Sequence, residues 1–230
     1  MGQYPYLPIV SMQISQYPYL LVYLYRRLFK KPATFLCNGC EYTYFEHPYN
    51  RTWMNERAVE IPIIWQWVKK YSPAEVLEIG NVLPHYFRTR HTVVDKYEKR
   101  SKVIQEDVAN LDLPKRFALI VTISTLEHVG WDENPREPGK HLRALATLNR
   151  HLTSDGILIV TLPLGYNFDL DDDLFAGRIT FDDALYFKRL SLQTWKQTSV
   201  SEAKDLSYGD PFPTSNGLLI GFIHNRGGKD

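Results

Sequence analysis

Between residues 74 and 165 the chain alternates two kinds of hydrophobic pattern, and few folds accommodate that alternation. Short apolar runs recur as AEVLEIG, HTVVD, SKVIQEDV, FALIVTIS and DGILIVTLPLG. The last two are continuous rather than alternating, as in strands covered on both faces. Helical spacing brackets them. Val59, Ile63, Trp67 and Val68 share a face in AVEIPIIWQWVKKY, with Pro62 marking where a regular helix is expected to begin, and Leu142, Leu145, Leu148 and Leu152 share one in KHLRALATLNRHL. Strands alternating with helices predict a mostly parallel sheet with crossover helices, a doubly wound α/β domain. NFDLDDDLFAGRITFDDA is acidic and broken and predicts a loop or short helices. NGLLIGFIH, opened by Asn216-Gly217 with no crossover helix before it, is expected to pair antiparallel at or near a sheet edge.

A chain of 230 residues, 44% of them hydrophobic, suits one core, which we place in residues 36–230 behind an aromatic and basic extension at 1–35. The 27 basic and 26 acidic residues balance, so no broad positive field gathers nucleic acid, and small or weakly charged substrates are favoured. The two cysteines, Cys37 and Cys40, exclude a disulfide framework and, within one chain, a four-cysteine metal site. They flank Asn38-Gly39, a strong hairpin signal that accounts for their spacing, and no metal is expected. The start lacks the basic region of a secretory signal, so a reducing, cytoplasmic setting is expected. YPYLLVYLYRRLFKK, residues 17–31, is too short to span a bilayer. It predicts a helix packed on its own domain, on a second copy, or on an anionic membrane surface through Arg26, Arg27, Lys30 and Lys31. QYPYL occurs at 3–7 and again at 16–20, too few copies for a solenoid.

In open parallel sheets ligands sit beyond the carboxyl ends of the strands. Those positions hold Glu78 and Gly80, Asp95, Asp107, and the stretch from Ser124 to His128. Asp95 lies 15 positions past Gly80, where a carboxylate accepts both hydroxyls of a ribose, and Asp107 lies 12 further on, where an adenine amino group would fall. Each also suits a cap or a solvated loop. An adenosine held there belongs to a nicotinamide dinucleotide or to S-adenosylmethionine. A pyrophosphate needs close backbone N–H groups and hence a glycine-rich loop, but after Gly80 the next glycine is Gly130. S-adenosylmethionine carries no phosphate, so one glycine admits it while Asn81 and its neighbours form the loop. Glu78 would meet its ammonium or order the loop.

VLEIG, VVD, QEDV and FALIVTISTLEHV resemble successive motifs of class I S-adenosylmethionine-dependent methyltransferases. HPYNRTWMNERAVEIP, EIGNVLPHY, VDKYEK, STLEHVGWDENPREP and LPLGYN are similar to a stand-alone bacterial and archaeal group of methyltransferase-like proteins. The resemblance covers residues 58–165 well and the rest loosely, where it implies a terminal antiparallel hairpin. NVLPHYFRTR leaves a shortened first crossover. It implies S-adenosylmethionine as cofactor, held by Glu78, Gly80, Asn81, Asp95, Asp107, Val108 and Ser124.

Methyl transfer is an in-line displacement in which positioning and exclusion of water supply much of the rate. His128 is the candidate base for an acceptor with a proton to lose, and Glu127 contacts the acceptor or orients the loop; alternatively His128 starts a helix or packs on Trp131. HPYNRTWMNER is poor core material and is expected to form a lid, with Tyr49, Trp53 and Arg57 facing the ligands, or else Asn55 caps the next helix. Tyr166 and Asn167, beyond the fifth strand, are further acceptor candidates. The leading expectation is a methyltransferase for a small-molecule or glycan-type acceptor. The alternatives are an inactive relative acting as a binding or membrane-surface protein, and a nicotinamide-dependent oxidoreductase.

Overall fold

The computed structural model describes residues 17–226; the first QYPYL and the rest of 1–16 lie outside them. The elements in chain order are α1 (Tyr17–Phe29), β1 (Thr34–Cys37), β2 (Cys40–Thr43), α2 (Arg57–Val68), β3 (Val76–Ile79), β4 (Thr92–Val94), β5 (Val103–Ile104), β6 (Phe117–Ile123), α3 (Lys140–Arg150), β7 (Leu152–Pro163), α4 (Phe168–Phe175), β8 (Asp183–Arg189), β9 (Trp195–Thr198), α5 (Val200–Ala203) and β10 (Gly217–His224). The eight-stranded sheet runs β5-β4-β3-β6-β7-β10-β8-β9. Its first five strands are mutually parallel and its last three pair antiparallel. The fold is therefore a mostly parallel, doubly wound α/β sheet, and the chain reverses its direction of travel across the sheet between β3 and β6.

Strand periodicity sends successive side chains to opposite faces. Leu119, Val121 and Ile123 of β6 meet α2 and the β1-β2 hairpin on one face, while Leu158, Val160 and Leu162 of β7 meet α3 and α4 on the other. Three expectations need correction. β10 is antiparallel, but it is not an edge strand: β8 and β9 lie outside it, and six of its residues are buried. The parallel strands are joined mostly by loops with single 3₁₀ turns, such as Leu83–His85, and α3 alone crosses over as a regular helix. The shortened first crossover is present in that form. Finally, α2 begins at Arg57 and contains Pro62. The Ala58 carbonyl that Pro62 cannot serve accepts instead from Phe45 N–H at 2.9 Å, which removes the unpaired-carbonyl part of an interior proline's penalty.

The hairpin at Asn38-Gly39 is as expected, both turn residues having positive φ (49° and 75°), and Cys37 pairs in register with Cys40. Both cysteines are free, and burial pushes the Cys37 thiol up to about 11.

Candidate functional site

The residues that the sequence brings to the strand ends lie along one rim of the sheet, at the switch between β3 and β6 and beside it after β4 and β5. Glu78, fully buried at the end of β3, accepts from Val82 N–H and Leu83 N–H through Oε1, both at 2.7 Å, and its Oε2 lies 2.6 Å from His91 Nε2. Of its two expected roles, ordering the loop is the one that its bonds serve. Gly80 takes φ +82°, and a Cβ there would lie 2.2 Å from Thr125 Oγ1. The missing side chain thus makes room for Thr125 across the switch point. Asn81 donates its backbone N–H to Asp95 Oδ2 at 3.2 Å, while its side-chain Nδ2 is buried with no partner among the described residues.

Asp95 and Asp107 follow the neighbouring strands β4 and β5 and share one rim. Asp95 Oδ1 accepts from Tyr97 and Glu98 N–H at 2.8 Å each, so both of its lone pairs are used. Oδ2, engaged only by Asn81, keeps one acceptor position, which falls short of the expected clasp on two ribose hydroxyls. Asp107 is more heavily engaged. Its Oδ2 meets Lys140 Nζ at 2.7 Å and Lys96 Nζ at 2.9 Å, and Oδ1 accepts from Ala109 N–H at 3.0 Å. Burial raises its pKa, but the two lysines outweigh that and bring it to about 2. Glu133 closes the network, 2.6 Å from Lys140 and 2.9 Å from Lys96. The space beside Asp107 expected for an adenine amino group is therefore taken by ammonium groups in this conformation. Val108 is buried next to it.

At the end of β6 a second, buried cluster forms around the first turn of α2. Arg57 Nη1 donates to Ile123 O at 2.9 Å and lies 3.2 Å from Glu60 Oε2. Glu60 Oε1 accepts from Thr161 Oγ1 at 2.6 Å and from the Ser124 hydroxyl. Ser124, held at φ 38° by its N–H bond to Thr161 Oγ1 (2.9 Å), is thus spent on supporting Glu60. Two further carboxylates face this cluster with an unpartnered oxygen each: Glu56, 9% exposed, and Glu127, 1% exposed. Burial raises the pKa of both, with Glu60 adding to it. Asn167 is buried, donating to Glu127 O at 2.8 Å and accepting from Leu170 N–H at 3.0 Å; it ties the Glu127 turn to α4 instead of facing an acceptor.

The outer rim is aromatic. His128 ends a 3₁₀ turn, Leu126–His128. Its Nδ1 lies 2.6 Å from Asp132 Oδ2, its Nε2 3.6 Å from Glu127 Oε1, and its ring meets Tyr166 edge-on at 4.9 Å rather than Trp131. Tyr166 donates to the same Asp132 Oδ2 at 2.8 Å and packs on Tyr208. Tyr49 stacks on His85 of the loop after Gly80, 4.4 Å between centroids. Trp53, expected in a lid, is buried and stacks on Tyr23 of α1. Asn55 Oδ1 accepts from Arg57 N–H at 3.1 Å, the capping alternative.

Sequence reasoning missed Glu56, Glu60, Thr161, Lys96, Glu133 and Lys140. Glu60 had a signal: it is a carboxylate set in the apolar face of α2. Arg189 had none. Buried, it donates to the carbonyls of Met54 (2.6 Å), Leu192 (2.7 Å) and Pro213 (2.8 Å), holding the segment before Glu56. A cleft of about 630 Å³ between Leu111, Arg116, Arg150 and His151 lies at the amino ends of β6 and β7, the opposite edge from the site.

No family model matches the chain, and no curated protein matches its sequence. Among solved structures it is similar to the N-methyltransferase NodS of Bradyrhizobium japonicum with bound S-adenosyl-L-homocysteine (13% identity, 74% of this chain and 87% of that one, TM-score 0.46). It is also similar to an rRNA methylase of Streptococcus thermophilus (10%, 71% and 95%, 0.43) and to the sugar N-methyltransferase KedS8 of Streptoalloteichus (12%, 72% and 87%, 0.36). At these values activity and ligand must come from this chain's own residues.

Proposed function

We propose that the chain is an S-adenosylmethionine-dependent methyltransferase for a small-molecule or glycan-type acceptor, working in a reducing compartment. One observation carries the choice of cofactor. The amides of Val82 and Leu83, the donors a dinucleotide's pyrophosphate would need, are already bonded to the buried Glu78 carboxylate, which also repels phosphate. A nicotinamide dinucleotide is thereby disfavoured. What the loop leaves free is a side-chain donor, Asn81 Nδ2, which fits the carboxylate of an amino acid end. Asp95 Oδ2 offers one acceptor position to a ribose hydroxyl, and Val108 walls the base side.

When bound, this cofactor supplies a methyl carbon activated by the adjoining sulfonium. The chain's residues hold the acceptor and take its proton. Glu127 Oε2, buried and unpartnered, accepts from the acceptor's O–H or N–H, and burial raises its pKa, which strengthens it as a base. Asp132 orients His128 so that Nε2 turns toward Glu127, giving the proton a route to solvent. Arg57, Tyr166 and Tyr49 shape the acceptor side, and Glu56 and Glu60 hold Arg57 charged.

The two lysines on Asp107 favour a second reading, a chain that keeps the fold without turnover. Calorimetry with S-adenosylhomocysteine and with NAD decides between cofactors: heat is expected with the first and none with the second, and silence with the first removes the proposal. Cofactor binding with no methyl label transferred to hydroxyl or amine acceptors supports the second reading.

A further inference from the structure

α1 rests on the domain by one face. Tyr23 stacks on Trp53 with centroids 6.5 Å apart, Arg26 pairs with Glu46, and Arg26 Nη1 donates to Gln193 Oε1 at 2.9 Å. The opposite side carries Leu21, Val22, Leu24, Tyr25, Leu28 and Phe29, exposed by 37–74% and uncovered by the described residues. At 3.6 residues per turn these six share one arc of roughly 160°. Beside it, the turn that contains Gln193 adds the exposed Leu190 and Leu192. A monomer rarely leaves so continuous an apolar face in water.

Charge selects the occupant. Arg27, Lys30 and Lys31 are exposed along the same helix and its end, and residues 17–31 contain no aspartate or glutamate. A second copy laid helix on helix offers those cations no carboxylate: a parallel pairing sets cation against cation, and an antiparallel one sets them against the uncharged start of the helix. Anionic headgroups answer those cations, while acyl chains answer the apolar arc. α1 has 13 residues, and no described helix is long and apolar enough to cross a membrane. It would lie flat in the interface.

We infer that α1 docks the protein on an anionic lipid surface, its arc from Leu21 to Phe29 entering the headgroup layer. The site proposed above is not needed for this. The test is co-sedimentation of the full chain with vesicles of phosphatidylcholine alone or with about 30% phosphatidylserine. Binding is expected to the second only, to weaken with salt, and to drop about 25-fold in Lys30→Gln/Lys31→Gln, roughly fivefold per cation. Leu28→Glu/Phe29→Glu should abolish it while circular dichroism and melting temperature stay as in the wild type, because both residues are outside the core. Absence of binding by the wild type overturns the inference, as does equal binding by the Glu variant. A wild-type dimer that the Glu variant turns into a monomer, without vesicle binding, overturns it in favour of self-association.

Discussion

A buried carboxylate without a hydrogen-bond partner is costly, and Glu127 Oε2 is one held at 1% exposure beside Glu56 and Glu60. Its folded pKa is raised, so whatever stability this group contributes is present below the ordinary glutamate value, near 4.5, and lost as pH rises through the folded value. Glu127→Gln removes that loss. We expect it to stabilise the protein at pH 7 by roughly 1–3 kcal/mol. In melting temperature that is about 2–4 °C per kcal/mol for a chain of this size. Methyl transfer should fall by roughly 10²–10⁴, the value of a positioned base. Calorimetric melts and turnover on one preparation check both; a variant that is less stable and fully active would show Glu127 to be structural. Glu127 and His128 were legible because they follow an apolar strand. Arg57 was named with the polar stretch before α2, but Glu56 sat there with no period to single it out, and only the fold shows that both join the same cluster as Glu127.

At the scale of elements, the loop after β3 is held by one carboxylate and one steric fit. Gly80→Ala would put a methyl into Thr125 at a φ of +82°. The variant should lose more than the roughly 1 kcal/mol of a strained backbone alone, and Gly80→Ala/Thr125→Ala should recover the steric part but not the conformational part. Denaturant midpoints for the two variants and Thr125→Ala measure this; additive losses would mean that the contact across the switch point is not what requires glycine. Strands with both faces covered announced themselves as apolar runs, which is why β3, β6, β7 and β10 were legible. β8 was not, because its inward alternation ends in Arg189, a buried cation where the pattern calls for an aliphatic residue, and β9 is short and polar. Without those two strands β10 looked like an edge. The proline in α2 misled for a different reason: its compensation is a bond from Phe45, 13 residues upstream of the Ala58 carbonyl.

Across the whole molecule, near-zero net charge conceals concentrated pairs. Lys96 after β4, Asp107 after β5, Glu133 and Lys140 at the start of α3 join four separate segments by contacts of 2.6–2.9 Å. Lys140 is almost fully buried, so its carboxylate partners are not optional. Asp107 is depressed to about 2 from an ordinary 3.8. A carboxylate lowered on folding contributes stability above its unfolded pKa and loses it as pH falls through the folded one. The wild type should therefore weaken between about pH 4 and pH 2, where Asp107 takes up its proton. Asp107→Asn lacks that proton and leaves Lys140 with fewer charged partners. It should melt below the wild type at neutral pH, with the gap narrowing as pH falls across the same window. Solvent at this partly exposed pair limits the size of the gap but not its direction. Melting curves of both proteins from pH 7 to pH 2 give the answer. A gap that stays constant would mean that Asp107 has the same pKa folded and unfolded, so that the ammonium groups do not hold it and leave room for a purine.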